Sequence, residues 1–307
     1  MSRALRALTG ARCFLCGSLD VASRPYLSLN SDSFARNAAY LLPAWVARAL
    51  AHFSRRFGNA YHPVAINKRY FNRSVCYCNN CLTGACLPFF EKTELADYYE
   101  RFYWRNRDAV DGNHLPLSNR PNDHQVRWTA ERIAWLEKSL GEFGTVLDFG
   151  AGDCAAGFAL TESGKALSVH VVDPSMRSRD LANAYGFGYS PELAQAPQVD
   201  FIYSAHSIEH VHDLLDTVLR LTEKVRDGGH IFFETPNIGD LDVFAGLAHT
   251  PHTFMLSRQT FMHFETLFPL KIVAIEATGP RWQRSRPRIE SFENTDLRVL
   301  LRKVSKV

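Results

Sequence analysis

Apolar residues in the C-terminal half of the chain follow two alternating spacings. One is a short continuous apolar run, which is typical of a strand buried on both faces of a parallel sheet. The other is the helical spacing of Val and Leu along residues 211–225, which places them on one face. The continuous runs are TVLDF at 145–149, ALSVHVVD at 166–173, VDFIYSA at 199–205 and HIFFET at 230–235. Strands alternating with helices predict an α/β fold, a doubly wound sheet with right-handed crossovers.

Turn residues and two final segments complete this pattern. Pro174 favours a helix that has this proline in its first turn. Gly228 and Gly229 predict the end of the helix that begins near residue 211. The segment SRQTFMHFETLF at 257–268 is predicted to be helical, and KIVAIEA and DLRVLLRK are expected to close the sheet.

The chain divides into three parts. Residues 1–90 contain most of the cysteines and a basic insert, 91–142 resemble a helical lead-in and substrate lid, and 143–307 hold the α/β pattern. No apolar run approaches the roughly 20 residues that a membrane-spanning helix requires. The first dozen residues are basic but lack the apolar core of an export signal. We therefore expect a cytoplasmic protein.

The net charge of +3 conceals an uneven distribution. Residues 1–75 hold 11 Lys+Arg and 2 Asp+Glu, and residues 281–307 hold 8 and 3, which leaves the middle of the chain at −11. Basic flanks around an acidic centre favour an anionic partner, such as a phosphorylated substrate, RNA or a membrane surface. A solvated basic surface without a partner would explain the same distribution.

Six of the seven cysteines precede residue 87. An odd number in a chain without an export signal favours metal ligation over disulfides. Two CxxC pairs can place four thiolates on one Zn²⁺ and complete a closed, structural site. Cys76 and Cys86 could each replace a ligand, and buried thiols without a metal are the alternative. The two pairs are formed by Cys13, Cys16, Cys78 and Cys81.

A glycine-rich turn directly follows the first core strand, in the sequence Asp148-Phe-Gly150-Ala-Gly152. The glycines allow a tight turn and the close approach of a ligand to the backbone. The free N–H groups of the following helix favour a carboxylate or phosphate. Asp173 ends the next strand, where an acid can accept hydrogen bonds from ribose hydroxyls. NAD enzymes share this arrangement, and both aspartates could instead be helix caps.

Five segments in order resemble the motifs of class I S-adenosylmethionine-dependent methyltransferases of the ubiquinone-type and sugar-modifying branches. The segments are VLDFGAGDC, HVVDPS, DFIYSAHSIEHVHD, RDGGHIFFETPN and PHTFMLSRQTFMHFE. The resemblance covers residues 91–280 and implies a Rossmann-like sheet with S-adenosyl-L-methionine as cofactor.

The resemblance also implies roles for single residues. Asp148 and the backbone of the two glycines would hold the methionine part of the cofactor, and Asp173 would bind its ribose. The segment beside the sulfonium would comprise Ser204, Ala205 and His206. Ser190 and Glu192 are candidates for contact with the adenine.

Candidate catalytic bases lie at the end of the third predicted strand and after the fourth. Histidine titrates near neutral pH, which suits removal of a proton from a hydroxyl or carbon acceptor. His210 is the first choice and His252 the second, with His206 and Glu209 as further candidates; each could instead be structural. Glu209-His210 also resembles a divalent-metal motif of small-RNA 2′-O-methyltransferases, but His206 stands where those enzymes have an additional Glu, which disfavours a catalytic Mg²⁺.

The cysteine region resembles the zinc-binding module of nucleotide-sugar C-methyltransferases, where two CxxC pairs precede a Tyr-rich helix like ADYYERFYW. The insert at 21–75 departs from that pattern. Within it, residues 41–57 form an amphipathic basic helix pattern that would suit a membrane surface or a lipid-linked substrate, or packing on the protein itself.

These observations predict a zinc-containing methyltransferase of a small hydroxylated acceptor, either a sugar or a nucleotide- or lipid-linked saccharide, with O- or C-methylation left open. An RNA methyltransferase is the second hypothesis, although no Asn/Asp-Pro-Pro-aromatic motif follows the third strand. A non-catalytic interaction protein that retains the fold is the third. The oligomeric state stays open.

Overall fold

The computed structural model describes residues 12–25, 73–99, 123–237, 252–278 and 296–305. The amphipathic segment predicted at 41–57, and the region between residues 100 and 122, lie outside these ranges. None of the helices in the described ranges is long and apolar enough to cross a bilayer.

A seven-stranded sheet forms the body of the molecule. Its strands are β4 (Gly144–Phe149), β5 (Ala166–Val172), β6 (Gly188–Ser190), β7 (Val199–Ala205), β8 (Val225–Pro236), β10 (Leu270–Thr278) and β11 (Asp296–Lys303). They are arranged in the order β10-β11-β8-β7-β4-β5-β6. Strands β4 to β8 run parallel to one another, whereas β11 is antiparallel to both β8 and β10.

Helices cover both faces of this sheet, so its central strands are apolar on both sides. Adjacent strand residues point to opposite faces: Val146 packs into one core cluster, whereas Leu147 packs into the other. The helices of the described residues are α1 (Lys92–Tyr98), α2 (Asp123–Leu136), α3 (Ala155–Glu162), α4 (Met176–Ala184), α5 (Leu214–Lys224) and α6 (Arg258–Leu267). The predicted doubly wound α/β fold is confirmed.

Two predicted helix boundaries are wrong. Helix α5 ends at Lys224 and β8 begins at Val225, so Gly228 and Gly229 lie within the strand. A Cβ on Gly229 would lie 2.5 Å from the Asp200 carbonyl oxygen, so glycine permits the close approach of β7 and β8. Helix α4 begins after Pro174, and Ser175 caps it by accepting a 3.2 Å bond from the N–H of Arg177.

The cysteine region forms a second, four-stranded antiparallel sheet. Its strands are β1 (Val21–Pro25), β2 (Ser74–Cys78), β3 (Gly84–Leu87) and β9 (Phe254–Met255), in the order β1-β2-β3-β9. The fourth strand comes from the segment that precedes α6, about 170 residues further along the chain. The two sheets share one core cluster, in which Cys81 and Phe254 pack with residues of β7 and β8.

Candidate cofactor and acceptor site

The turn after β4 is built from left-handed residues. Gly150, Gly152 and Cys154 have φ angles of +70°, +55° and +56°. A Cβ on Gly150 would lie 2.3 Å from the Ser207 hydroxyl oxygen, so only glycine fits there. The Gly150 N–H donates to the Val172 carbonyl at 2.8 Å, and the Ser207 hydroxyl donates to the Gly150 carbonyl at 3.1 Å. The turn is therefore fixed between the ends of β5 and β7.

Asp148 lies beneath this turn rather than in it. Its buried carboxylate accepts a 3.3 Å bond from the backbone N–H of Gly157, in the first turn of α3. Burial raises the pKa of this carboxyl to about 7, and the charge of Asp173 acts in the same direction. The helix-cap alternative describes these contacts, and a role toward the methionine part of a cofactor stays a prediction.

Asp173 links the turn to the next helix. One of its carboxylate oxygens accepts from the Gly152 N–H at 3.0 Å, and the other accepts from the Ser175 N–H at 2.8 Å. Burial raises the pKa of this carboxyl. Each carboxylate oxygen can accept two hydrogen bonds, so the pair retains capacity for ribose hydroxyls. Of the adenine candidates, Ser190 is buried and bonded to His170 at 2.8 Å, whereas Glu192 is exposed and paired with Lys92.

The end of β7 presents His206 in a left-handed conformation, with φ of +52°. Its backbone N–H donates to the Glu234 carbonyl at 2.7 Å. The Ser204 side chain is fully buried, whereas Ala205 and His206 are partly exposed. Of the three residues predicted beside the sulfonium, only Ala205 and His206 are accessible to a ligand from the surface.

A buried charge network surrounds His206. Its Nε2 lies 3.2 Å from a Glu234 carboxylate oxygen, and its Nδ1 lies 3.6 Å from Glu209. Although burial lowers the pKa of His206, the carboxylates of Glu209 and Glu234 raise it to about 10. The imidazole is therefore protonated at neutral pH and has no lone pair with which to act as the general base.

Glu234 is the centre of this network and escaped the sequence analysis. It is fully buried, and its two oxygens accept bonds from the Nε of Arg132 at 2.6 Å and of Arg298 at 2.7 Å. Although burial raises the pKa of Glu234, the charges of Arg132 and His206 lower it overall. Asp296 lies 3.9 Å from the His206 ring, and burial raises its pKa to about 6. A charged residue within the apolar run HIFFET was the sequence signal for this network.

Glu209, His210 and His252 converge beside His206. The Nε2 of His210 lies 3.7 Å from a Glu209 carboxylate oxygen, and the rings of His210 and His252 are 4.6 Å apart in a T-shaped arrangement. Glu209 is buried, and among the described residues neither of its carboxylate oxygens accepts a hydrogen bond. One possible ligand atom from each of these three side chains lies within 4.8 Å of the other two, so the three could share a proton or bind a divalent metal.

Four cysteines converge at the edge of the smaller sheet. The sulfur of Cys13 lies 3.4 Å from that of Cys81, and the sulfurs of Cys16 and Cys78 are 3.5 Å apart. All four sulfurs lie within 4.8 Å of one another. Tetrahedral Zn–S bonds of about 2.3 Å place sulfurs about 3.8 Å apart, so the set fits a zinc ion.

The two other candidate cysteines lie outside this cluster. The Cys76 thiol faces the Ser23 hydroxyl at 3.8 Å, and Cys86 is fully buried within β3. Backbone and amide N–H groups approach the clustered sulfurs instead: the Asn80 side chain donates to Cys16 at 3.5 Å, and the Cys81 N–H donates to Cys78 at 3.5 Å. The structure thus groups the two CxxC pairs, as the sequence predicted.

The sheet order, with one antiparallel strand inserted beside β8, and the glycine turn after β4 define the fold of class I S-adenosylmethionine-dependent methyltransferases. Residues 118–304 match a family model described as a methyltransferase domain. The chain belongs to this methyltransferase domain family.

A curated relative and several solved structures are similar to the chain. A ubiquinone biosynthesis O-methyltransferase of Aromatoleum aromaticum is 31% identical over 121 residues, which cover 34% of this chain and 50% of that protein. The chain thus matches about half the length of this relative. A methyltransferase from Archaeoglobus fulgidus is 17% identical, with a TM-score of 0.45, over 58% of this chain and 94% of that one. One from Clostridium acetobutylicum is 11% identical, with a TM-score of 0.44, over 66% and 100%.

Proposed function

We propose that the protein transfers a methyl group from S-adenosylmethionine to a small hydroxylated acceptor, either a sugar or a nucleotide- or lipid-linked saccharide. One observation carries the proposal: the glycine turn and the Glu209–His210–His252 cluster are adjacent. Ser207 joins them, since its hydroxyl bonds to the turn at Gly150 while the cluster begins two residues later. A methyl donor and an acid–base group would therefore meet at one edge of the sheet.

In this proposal the turn and Asp173 hold the cofactor. The turn at Gly150 and Gly152 faces the amino-acid end of the cofactor, and Asp173 accepts bonds from the ribose hydroxyls. S-adenosylmethionine supplies a methyl group that is bonded to a positively charged sulfur. When the methyl group is transferred, this sulfur leaves as a neutral thioether. The chain needs to align the acceptor, exclude water and take up one proton.

His210 takes that proton from the acceptor. The buried Glu209 carboxylate, 3.7 Å from the His210 ring, stabilises the imidazolium that forms. His206 is already protonated between Glu209 and Glu234, so it contributes positive charge rather than basicity. His252 lines the site next to His210, whose ring it contacts.

An acceptor with a hydroxyl or an acidic carbon is favoured over a base nitrogen of RNA by the character of this site. The described cluster combines the Glu209 carboxylate with the imidazoles of His210 and His252, a set suited to deprotonating a hydroxyl or an acidic carbon. The basic flanks of the sequence fit a phosphate on the acceptor, and salt-sensitive binding of RNA would instead support the second hypothesis. The four thiolates would hold Zn²⁺ in a closed, structural site that leaves no position for water.

Replacement of Asp173 tests the cofactor site. We expect Asp173→Ala to weaken S-adenosylmethionine binding more than tenfold, on the order of 1.4 kcal/mol, because the ribose loses its acceptor and the Gly152 N–H loses its anchor. Isothermal titration calorimetry measures the affinity, and circular dichroism checks the fold. Asp180→Ala, which alters an exposed carboxylate on α4, is the matched control. Equal affinities of the two variants would remove Asp173 from the site.

Replacement of one thiolate tests the zinc assignment. We expect Cys16→Ser to lower both the bound zinc, measured by plasma mass spectrometry, and the melting temperature, because a closed site contributes directly to folding. Cys76→Ser, outside the cluster, should change neither. Wild-type protein that is metal-free yet fully stable would contradict a structural zinc site.

A further inference from the structure

The cysteine sheet and the candidate acid–base cluster are joined through one short segment. Strand β3 pairs with β9 through Gly84 opposite Met255 and Ala85 opposite Phe254. One residue before β9, the Thr253 carbonyl accepts a 2.8 Å bond from the N–H of Cys86. A two-residue strand has too little pairing of its own to be stable, so β3 fixes its position.

The same segment also contacts the cluster. The Thr253 N–H donates to the Glu209 carbonyl at 2.8 Å, and the neighbouring His252 places its ring 4.6 Å from that of His210. Thr253 therefore bonds to the cysteine sheet through its carbonyl and to the cluster through its N–H. It is fully buried, so water does not replace either bond.

Two further buried contacts fix the other end of the segment. The Ser257 hydroxyl, which caps α6, donates to the Cys81 carbonyl at 3.2 Å. The hydroxyls of Thr83 and Thr260 share a bond of 2.6 Å. The turn that carries the second CxxC pair thus holds the start of α6, while β3 holds Thr253. Thr253, the two residues of β9 and Ser257 are thus attached to the cysteine sheet or to the turn between its strands, whereas Leu256 forms a bridge with Asn237, just after β8.

We propose that the cysteine sheet is a positioning element for the acid–base cluster, acting through Thr253 on Glu209 and His252. The inference rests on the proposed function in assigning acid–base work to that cluster. The four-cysteine region then does more than stabilise itself, because it fixes the positions of Glu209 and His252 on the acceptor side of the site. The cofactor turn is held by β5 and α4 as well as by Ser207, and its contacts with β5 and α4 do not involve the cysteine sheet.

A substitution at Gly84 tests this coupling without altering a thiol. A Cβ there would lie 3.1 Å from the Met255 Cβ and 3.3 Å from a ring carbon of Tyr77, so Gly84→Val forces β3 away from β9. Gly141→Val is the matched control, because a Cβ on Gly141 would have no neighbour within 4 Å. Amide hydrogen exchange, read by mass spectrometry on the full chain, reports the segments separately.

We expect Gly84→Val to raise exchange at least tenfold in peptides covering 252–257 and 207–211. Exchange at 144–152 and the affinity for S-adenosylhomocysteine should stay within twofold of the control. Faster exchange confined to residues 74–87 would overturn the proposal, and so would faster exchange that includes 144–152, because that is general destabilisation.

Thr83→Val provides the second variant if Gly84→Val does not fold. It removes the hydroxyl that bonds to Thr260 and to the Cys81 carbonyl, and we expect at least threefold faster exchange in 252–257 with the cofactor turn unaffected. Unchanged exchange in that segment would overturn the proposal. Failure of wild-type protein to bind S-adenosylmethionine would refute the proposed function alone, since the exchange measurement does not depend on it.

Discussion

Glu234→Ala is expected to destabilise the protein by about 3–5 kcal/mol, because it leaves buried cations without their counter-charge. The carboxylate is fully buried between Arg132 and Arg298, whose side chains are only 10% and 5% exposed. His206 loses the same partner at 3.2 Å. A buried ion network adds little stability compared with apolar residues of equal volume. Removing one member is nevertheless costly in free energy of unfolding, because it leaves the remaining buried charges unpaired. Urea unfolding, followed by circular dichroism, gives the free energy of unfolding.

An exposed ion pair with similar geometry is the matched control. Asp216 accepts a 2.7 Å bond from Arg220 one helical turn later, and both side chains are about half exposed, at 46% and 52%. Asp216→Ala should cost at most about 0.5 kcal/mol, because water and salt screen such a pair. If both substitutions cost the same, the network around Glu234 is not a structural centre of the site.

His210→Ala is expected to lower kcat by about 10²–10⁴-fold while S-adenosylmethionine affinity stays within twofold. The expected fall in kcat is that caused by losing a positioned general base. The cofactor affinity should be unchanged because the cofactor contacts lie at the glycine turn and Asp173. The assay follows the transfer of a radiolabelled methyl group to free and nucleotide-linked sugars, with the acceptor that the wild type methylates best.

His263→Ala, a histidine of α6 outside the cluster, is the control and should retain wild-type kcat. His252→Ala should lose less than His210→Ala if His252 forms a wall of the site. The reverse order would assign the proton transfer to His252. Equal activity of His210→Ala and wild type would exclude His210 as the base.

The sheet was predictable from the sequence where its strands are buried on both faces. The runs that became β4, β5, β7 and β8 are mainly apolar, with few polar residues between the apolar ones, and no other element explains them. Strand β6, Gly188–Ser190, is only three residues long and has no apolar run. The boundary between α5 and β8 was misplaced because Val225 fits the apolar spacing of the helical face and is also the first residue of the strand that follows.

The site was predictable only where its residues form local patterns. The CxxC pairs and the Gly-x-Gly turn are short motifs whose spacing carries their chemistry. The partners of Glu234 are separated from it by 102 residues at Arg132 and 64 at Arg298, so no local pattern announces them. The attachment of Thr253 to β3 is equally hidden, because backbone hydrogen bonds leave no trace in side-chain spacing.

Calorimetric titration of the wild-type protein with S-adenosylmethionine and, separately, with NADH tests the central claim most directly. The site formed by the glycine turn and the Asp173 carboxylate should bind one S-adenosylmethionine per chain and show no heat of binding with NADH. Binding of NADH at that turn, or a folded protein that binds neither compound, would contradict the account.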